Sequence, residues 1–169
     1  SIRVNSSLSK LAVIVTPDET IDVVIRRMAT ESRDVVHAGL AVVLDSNFRV
    51  CGVLTDGDIR RAYARGVSWG KPVSEIMIDE PITLPIETKV DQIIVELSRR
   101  VEDAAHLKAK TIKHILLVDK SRRLVDIKDF VELLWDREEK SARVHVIGMG
   151  FVGLTVAISL ASVGHRVTG

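Results

Sequence analysis

Apolar positions recur along the chain at two spacings, and the switches between them outline its elements. Behind Pro17-Asp18-Glu19-Thr20, residues Ile21, Val24, Ile25 and Met28 fall on one helical face, with Thr20 as N-cap. A counterpart, Pro85-Ile86-Glu87-Thr88, leads into Val90, Ile93, Ile94, Leu97 and Val101 at the same spacing. After each helix come two short apolar runs read as a hairpin. In the first half these are 40–44 and 50–54, split by Asp45-Ser46-Asn47. In the second they are 114–118 and a shorter Leu124-Val125, split by 119–122. A second helix starts at an acid in both halves: Asp58 before Ile59, Ala62 and Tyr63, and Asp129 before Phe130, Leu133 and Leu134.

The chain is therefore an internal repeat of strand–helix–strand–strand–helix. The expected fold class is α/β (α+β): two β-α-β-β-α repeats packed as a pseudo-twofold module, followed by an incomplete Rossmann β-α-β start. Expected domains are 8–70, 71–137 and 138–169, with a hinge near 66–71 and a charged linker at 136–142. A half of roughly 60 residues is marginal alone, so the two sheets are expected to share a core.

Composition narrows the chemistry. The 169 residues carry net charge +1 and only 4% aromatics, which disfavours nucleic acid as a partner. One cysteine, Cys51, builds neither a disulfide framework nor a zinc site, and no histidines stand at metal-ligand spacing. No apolar run is long enough to span a bilayer and no signal peptide is read at the start, so no membrane role and a cytoplasmic setting are expected. A start at Ser1 and a stop at Gly169 after a nascent strand read as a piece of a longer protein.

The run Cys51-Gly52-Val53-Leu54-Thr55-Asp56-Gly57-Asp58-Ile59-Arg60-Arg61 resembles the signature of a cystathionine-β-synthase (CBS) domain, as does the later Pro72-Val73-Ser74-Glu75-Ile76-Met77 that opens a second copy. The resemblance spans about residues 8–137. It implies a tandem pair that binds an adenine nucleotide or related ligand in clefts between its halves, regulates an attached enzyme or transporter, and associates as a homodimer. The Thr-Asp-Gly-Asp wording is also similar to pairs attached to sugar-phosphate isomerases and sugar nucleotidyltransferases.

The residues suit these roles. Gly52 permits close backbone approach, Thr55 offers a hydroxyl at a helix N-terminus that favours phosphate, and Asp58 accepts from two ribose hydroxyls. Thr16 matches a position lining the same cleft. The plainer reading of Thr55-x-x-Asp58 is a capping box, which is compatible with binding. In the second copy Arg123 is matched to Gly52, Asp126 to Thr55 and Asp129 to Asp58, giving a degenerate second cleft to which His114 contributes. Cys51 reads as a core residue, and Arg60-Arg61 as a solvated face.

Gly148, Gly150 and Gly153 follow an apolar strand at 144–147 and open an apolar helix at 154–163. This segment, with Gly164-His165-Arg166-Val167-Thr168-Gly169, resembles the start of a UDP-glucose/GDP-mannose dehydrogenase, which implies NAD as cofactor of an intact parent. The ribose-gripping acid expected about 20 residues beyond the glycines is not reached. The expected function is a regulatory, nucleotide-sensing module of a nucleotide-sugar dehydrogenase with no catalytic residues of its own. The alternative is a ligand-free dimerisation and assembly scaffold of the same enzyme. A module of an isomerase or nucleotidyltransferase pathway is disfavoured by the Rossmann-like tail.

Overall fold

A computed structural model describes residues 7–93, 95–96, 113–129, 143–145 and 166–168. The chain divides into two units, Ser1–Leu133 and Leu134–Gly169. In the first unit, β1 (Val13–Val15), β2 (Leu40–Leu44) and β3 (Val50–Thr55) form one sheet in that order, β1 parallel and β3 antiparallel to β2. Helix α1 (Ile21–Glu31) makes the crossover that a parallel pair requires, and α2 (Asp56–Ala64) follows β3 directly. β4 (Thr83–Pro85), β5 (His114–Val118) and β6 (Leu124–Asp129) repeat the order and the pairing. Residues 90–93 and 95–96 are helical, in the place of α1.

Side-chain alternation along the strands assigns the faces. Leu40, Val42 and Leu44 of β2 point into one cluster with Ile14, Leu116, Val118, Leu124 and Ile127, so the two sheets share a core. Ala41 and Val43 face the opposite way, onto Ile21, Val24 and Met28 of α1 and Ala62 of α2. In the second sheet Ile115 and Leu117 face Leu84 and Ile93. All of β2 is buried because it is central and covered on both faces. The α1 pattern is as expected, but the Thr20 hydroxyl bonds to Asp22 Oδ1 at 2.6 Å and makes no cap bond to the backbone.

The segment after α2 is tied to the first half. Ile21 N–H donates to the Lys71 carbonyl (2.9 Å) and Val73 N–H to the Glu19 carbonyl (2.8 Å). Val73 and Ile76 are buried in the α1–α2 cluster, and Ile78 exchanges two backbone hydrogen bonds with Val53, at 2.8 and 3.0 Å.

The ladders correct the sequence match between the repeats. β6 does not stop at Val125; it continues to Asp129. Leu40 pairs with Thr55 and His114 with Asp129; Val43 pairs with Gly52 and Leu117 with Asp126. Both turns hold one residue at positive φ, Phe48 at 63° and Arg122 at 62°, and both ladders bulge at the same step. Asp126 thus matches Gly52, Asp129 matches Thr55, and Arg123 matches Arg49. Counted onward, Glu132 matches Asp58; it lies outside the described residues. Aligning the acids Asp58 and Asp129 slips the repeat by three positions. The slip arises because β6 alternates buried Leu124 and Ile127 with partly exposed Asp126 and Lys128, paired at 3.4 Å, and such an edge strand lacks an apolar run.

In the second unit, β7 (Arg143–His145) pairs in parallel with β8 (Arg166–Thr168), Val144 opposite Val167. Gly148, Gly150 and Gly153 lie outside the described residues.

Leu116, 1% exposed in the shared core, is the direct test of that architecture. Leu116→Ala should lower unfolding stability by about 3 kcal/mol. Urea denaturation should remain one transition, because both sheets lose the same contact; two separated transitions would mean independent cores.

A candidate ligand cleft at the start of α2

β3 ends at Thr55 with extended backbone, and the chain turns there into α2. The Thr55 hydroxyl accepts from Asp58 N–H at 3.4 Å and donates to Asp58 Oδ2 at 2.7 Å. Asp58 Oδ2 also accepts from Thr55 N–H at 2.9 Å, which completes a capping box. Asp58 Oδ1 accepts from Arg61 at 2.6 Å. The carboxylate is 6% exposed, and each of its oxygens already has a partner within α2 or at its cap.

Beside this helix start is a cavity of about 460 Å³. Thr55, Asp56, Gly57 and Arg60 form one wall, the 78–82 segment another, and Lys113 and His114 of the second half the third. Asp56 N–H donates to the Gly39 carbonyl at 3.3 Å and Asp58 N–H to Thr55, so the positive field here comes from the α2 dipole together with Arg60 and Lys113. Asp56 and Glu80 line the same space. The arrangement accommodates a mixed polar and apolar ligand with an anionic group. Burial, and then the Asp45 carboxylate, push the Cys51 thiol up, so it stays protonated. Among the described residues no three His, Cys, Asp or Glu side chains gather as a metal site.

The expected site residues are distributed differently from the sequence reading. Thr55 lines the cavity; Asp58 stands behind it in the capping box. Gly52 does not line it. A Cβ there would come within 2.7 Å of the Ile78 carbonyl oxygen and of Met77 Sδ, so the missing side chain admits the chain's own 77–78 segment. Thr16 is also outside the lining, its N–H bonded to Glu19 Oε1 at 2.9 Å. His114, assigned from sequence to a separate second cleft, shares the Thr55 cavity. Asp126 accepts from Ile127 N–H at 2.8 Å, and Asp129 closes the ladder opposite His114.

Arg60, read as a solvated face, is a wall residue, and Gly39, Lys113 and Glu80 were not singled out at all. Gly39 alone carried a signal, a glycine immediately before an apolar strand. Its φ is +77°, and a Cβ would lie 2.7 Å from Asp56 Oδ2.

His114 meets His37 edge to face, ring centroids 5.4 Å apart. His37 is 6% exposed, and its Nε2–H donates to the Ile127 carbonyl at 3.1 Å. Burial first, then the neighbouring His37 and Lys113, lower the His114 pKa to about 4, with Asp129 opposing. His114 is therefore a neutral wall residue at pH 7. Its charged form is favoured in the unfolded chain, so stability should fall as pH drops from about 6.5 towards 4. His114→Gln should flatten the stability–pH profile measured by urea unfolding in that window; an unchanged slope would assign it to other groups.

The family described as CBS domain matches residues 8–65. An arabinose 5-phosphate isomerase of Pseudomonas aeruginosa is 31% identical over 97 residues, 57% of this chain but only 27% of that protein. Among solved structures, a CBS domain protein from Pyrobaculum aerophilum complexed with AMP aligns with TM-score 0.57 at 23% identity, over 94% of this chain and 99% of its own. A CBS domain pair in complex with 5′-methylthioadenosine and S-adenosyl-L-methionine aligns with TM-score 0.55 at 21% identity, over 75% and 90%. The cytosolic domain of the Mg2+ channel MgtE in complex with ATP gives 0.56 at 23%, over 74% of this chain and 44% of its own. Residues 8–65 match the CBS domain family, and the two sheets of the first unit have the fold of a CBS domain pair.

Proposed function

We propose that this chain is a regulatory module that senses an adenine nucleotide or a related ligand in the cleft at the start of α2. The observation that carries the reading is the cavity itself, walled by Thr55, Gly57 and Arg60 from the first half and by Lys113 and His114 from the second. A phosphate fits the α2 N-terminus between Arg60 and Lys113. Asp58 takes the ribose hydroxyls, which replace Thr55 as donors to its carboxylate. The cap is the resting state of the same residues. Complexes of similar folds with AMP, ATP and S-adenosyl-L-methionine support the ligand class.

A ligand touching both halves favours one packing of them over another, and that shift is the regulatory output. Coupling of this kind is typically about 1–3 kcal/mol. The proposed setting is a cytoplasmic homodimer with no catalysis in these residues. The proposed regulated partner is an NAD-dependent nucleotide-sugar dehydrogenase. Its support is the parallel β7–β8 pair, which flanks the stretch containing Gly148, Gly150 and Gly153 as a Rossmann opening requires. A second reading, a ligand-free assembly scaffold, is favoured by the partners that Asp58 already has inside the fold.

Thermal unfolding separates the two. AMP, ADP, ATP, S-adenosylmethionine, NAD and UDP-sugars would each be added in excess. A bound ligand at a hundred times its Kd stabilises by about 2.7 kcal/mol, or roughly 5–10 °C here. The sensing reading expects an adenine nucleotide to raise the Tm and Asp58→Asn to remove the rise. No shift with any ligand, and a loss of only about 1 kcal/mol in Asp58→Asn, would favour the scaffold. Incubation with NAD and UDP-sugars should yield no NADH.

A further inference from the structure

The two hairpin turns meet at the Val50 end of β3, opposite the Thr55 end where the nucleotide cleft opens. Arg49 and Arg123 form an isolated antiparallel bridge between the halves. Val50 N–H donates to the Arg122 carbonyl at 3.2 Å and Leu124 N–H to the Phe48 carbonyl at 3.3 Å. These bonds flank the arginines and do not join them. The pair is thus of the non-hydrogen-bonded kind, in which facing Cα atoms stand about 4.5 Å apart and the side chains are closest. Like charges directly opposite destabilise such a pair.

Among the described residues, ion pairing at the bridge is one-sided. Arg123 Nε donates to Asp119 Oδ2 at 2.8 Å, whereas Arg49 has no ion pair among the described residues. Asp45 and Asp119 make the same turn bonds, Oδ1 of Asp45 accepting from Asn47 and Arg49 N–H at 2.7 and 2.9 Å and Oδ1 of Asp119 from Ser121 and Arg123 N–H at 2.8 and 3.0 Å; only Asp119 adds a side-chain ion pair to its arginine among the described residues. Lys120 and Arg122 are exposed on the second turn and add positive charge. Both bridged arginines line a cavity of about 390 Å³, together with Ser46, Asn47 and Ser121.

We infer that this seam is a second binding site, for a small phosphate-bearing polyanion. Arginine forks match phosphate oxygens bidentately, and two facing forks suit a chain of phosphates better than a single one. Ser46, Asn47 and Ser121 line the cavity with hydroxyl and amide groups, alongside Phe48. The bound anion cancels the repulsion between Arg49 and Arg123 and clamps the two hairpins. The site does not rest on the nucleotide cleft, since the two share no residue.

The test is calorimetric titration of the 169-residue chain with inorganic tripolyphosphate at low salt. Saturable binding is expected, weakened about tenfold or more in R49Q/R123Q, weakening with added salt, and retained in Asp58→Asn. Both arginines are exposed, so the double variant should fold, with a ligand-free Tm no lower than that of the parent chain. ATP displacing tripolyphosphate, with AMP ineffective, would identify a nucleotide's phosphate chain as the ligand; failure of ATP to displace it would identify free oligophosphate. Absence of saturable binding, binding that survives R49Q/R123Q, or binding that Asp58→Asn removes would each overturn the inference.

Discussion

The apolar face shared by the two three-stranded sheets is the constraint on which the rest of this structure depends. Leu40, Val42 and Leu44 of β2 pack against Leu116, Val118 and Ile127 of the second sheet, with Leu8, Leu11, Phe48 and Ile78 at the edges of the same cluster. A three-stranded sheet with one bare apolar face is marginal in water, so each half supplies what the other lacks. Once the sheets are face to face, their ends are brought together as well. The Thr55 end and the His114 end then bound one cavity, and the two hairpin turns meet at the other end.

Under the proposed reading the same residues carry structural and binding duties at the start of α2. Thr55 and Asp58 close the helix on itself, and a ligand that takes Asp58 must compete with bonds already made. That competition sets a threshold for binding and couples it to the local helix start. Opposite, His114 is kept neutral by burial beside His37, which leaves Arg60 and Lys113 as the cations of the cavity, against the carboxylates of Asp56 and Glu80. A cleft of nearly balanced charge discriminates by where its charges stand more than by their sum.

Much of this is legible in the sequence. α1 shows its buried Ile21, Val24 and Met28 at helical spacing, and β2 and β5 appear as short apolar runs ended by Asp turns, because their periods are dictated by local geometry. The Thr55–Asp58 capping box is likewise local. β6 was not legible to its end. A strand with one solvent face alternates polar residues, and from sequence Asp126 is matched to Thr55 and Asp129 to the acid that starts the second helix. The three-residue slip between repeats followed from that, and with it the misplacement of Arg123 beside a cleft when it belongs to the hairpin seam.

The sequence by itself determined the repeat, the alternation that gives each sheet an inner and an outer face, and the chemistry of the α2 cap, since these are relations between residues a few positions apart. Only the tertiary structure decided what Gly52 accommodates, which residues share a cleft with Thr55, and that Arg49 faces Arg123. Those pairs are separated by tens of residues. Their meeting depends on strand register, and register is settled by how the whole apolar face packs, not by any local pattern.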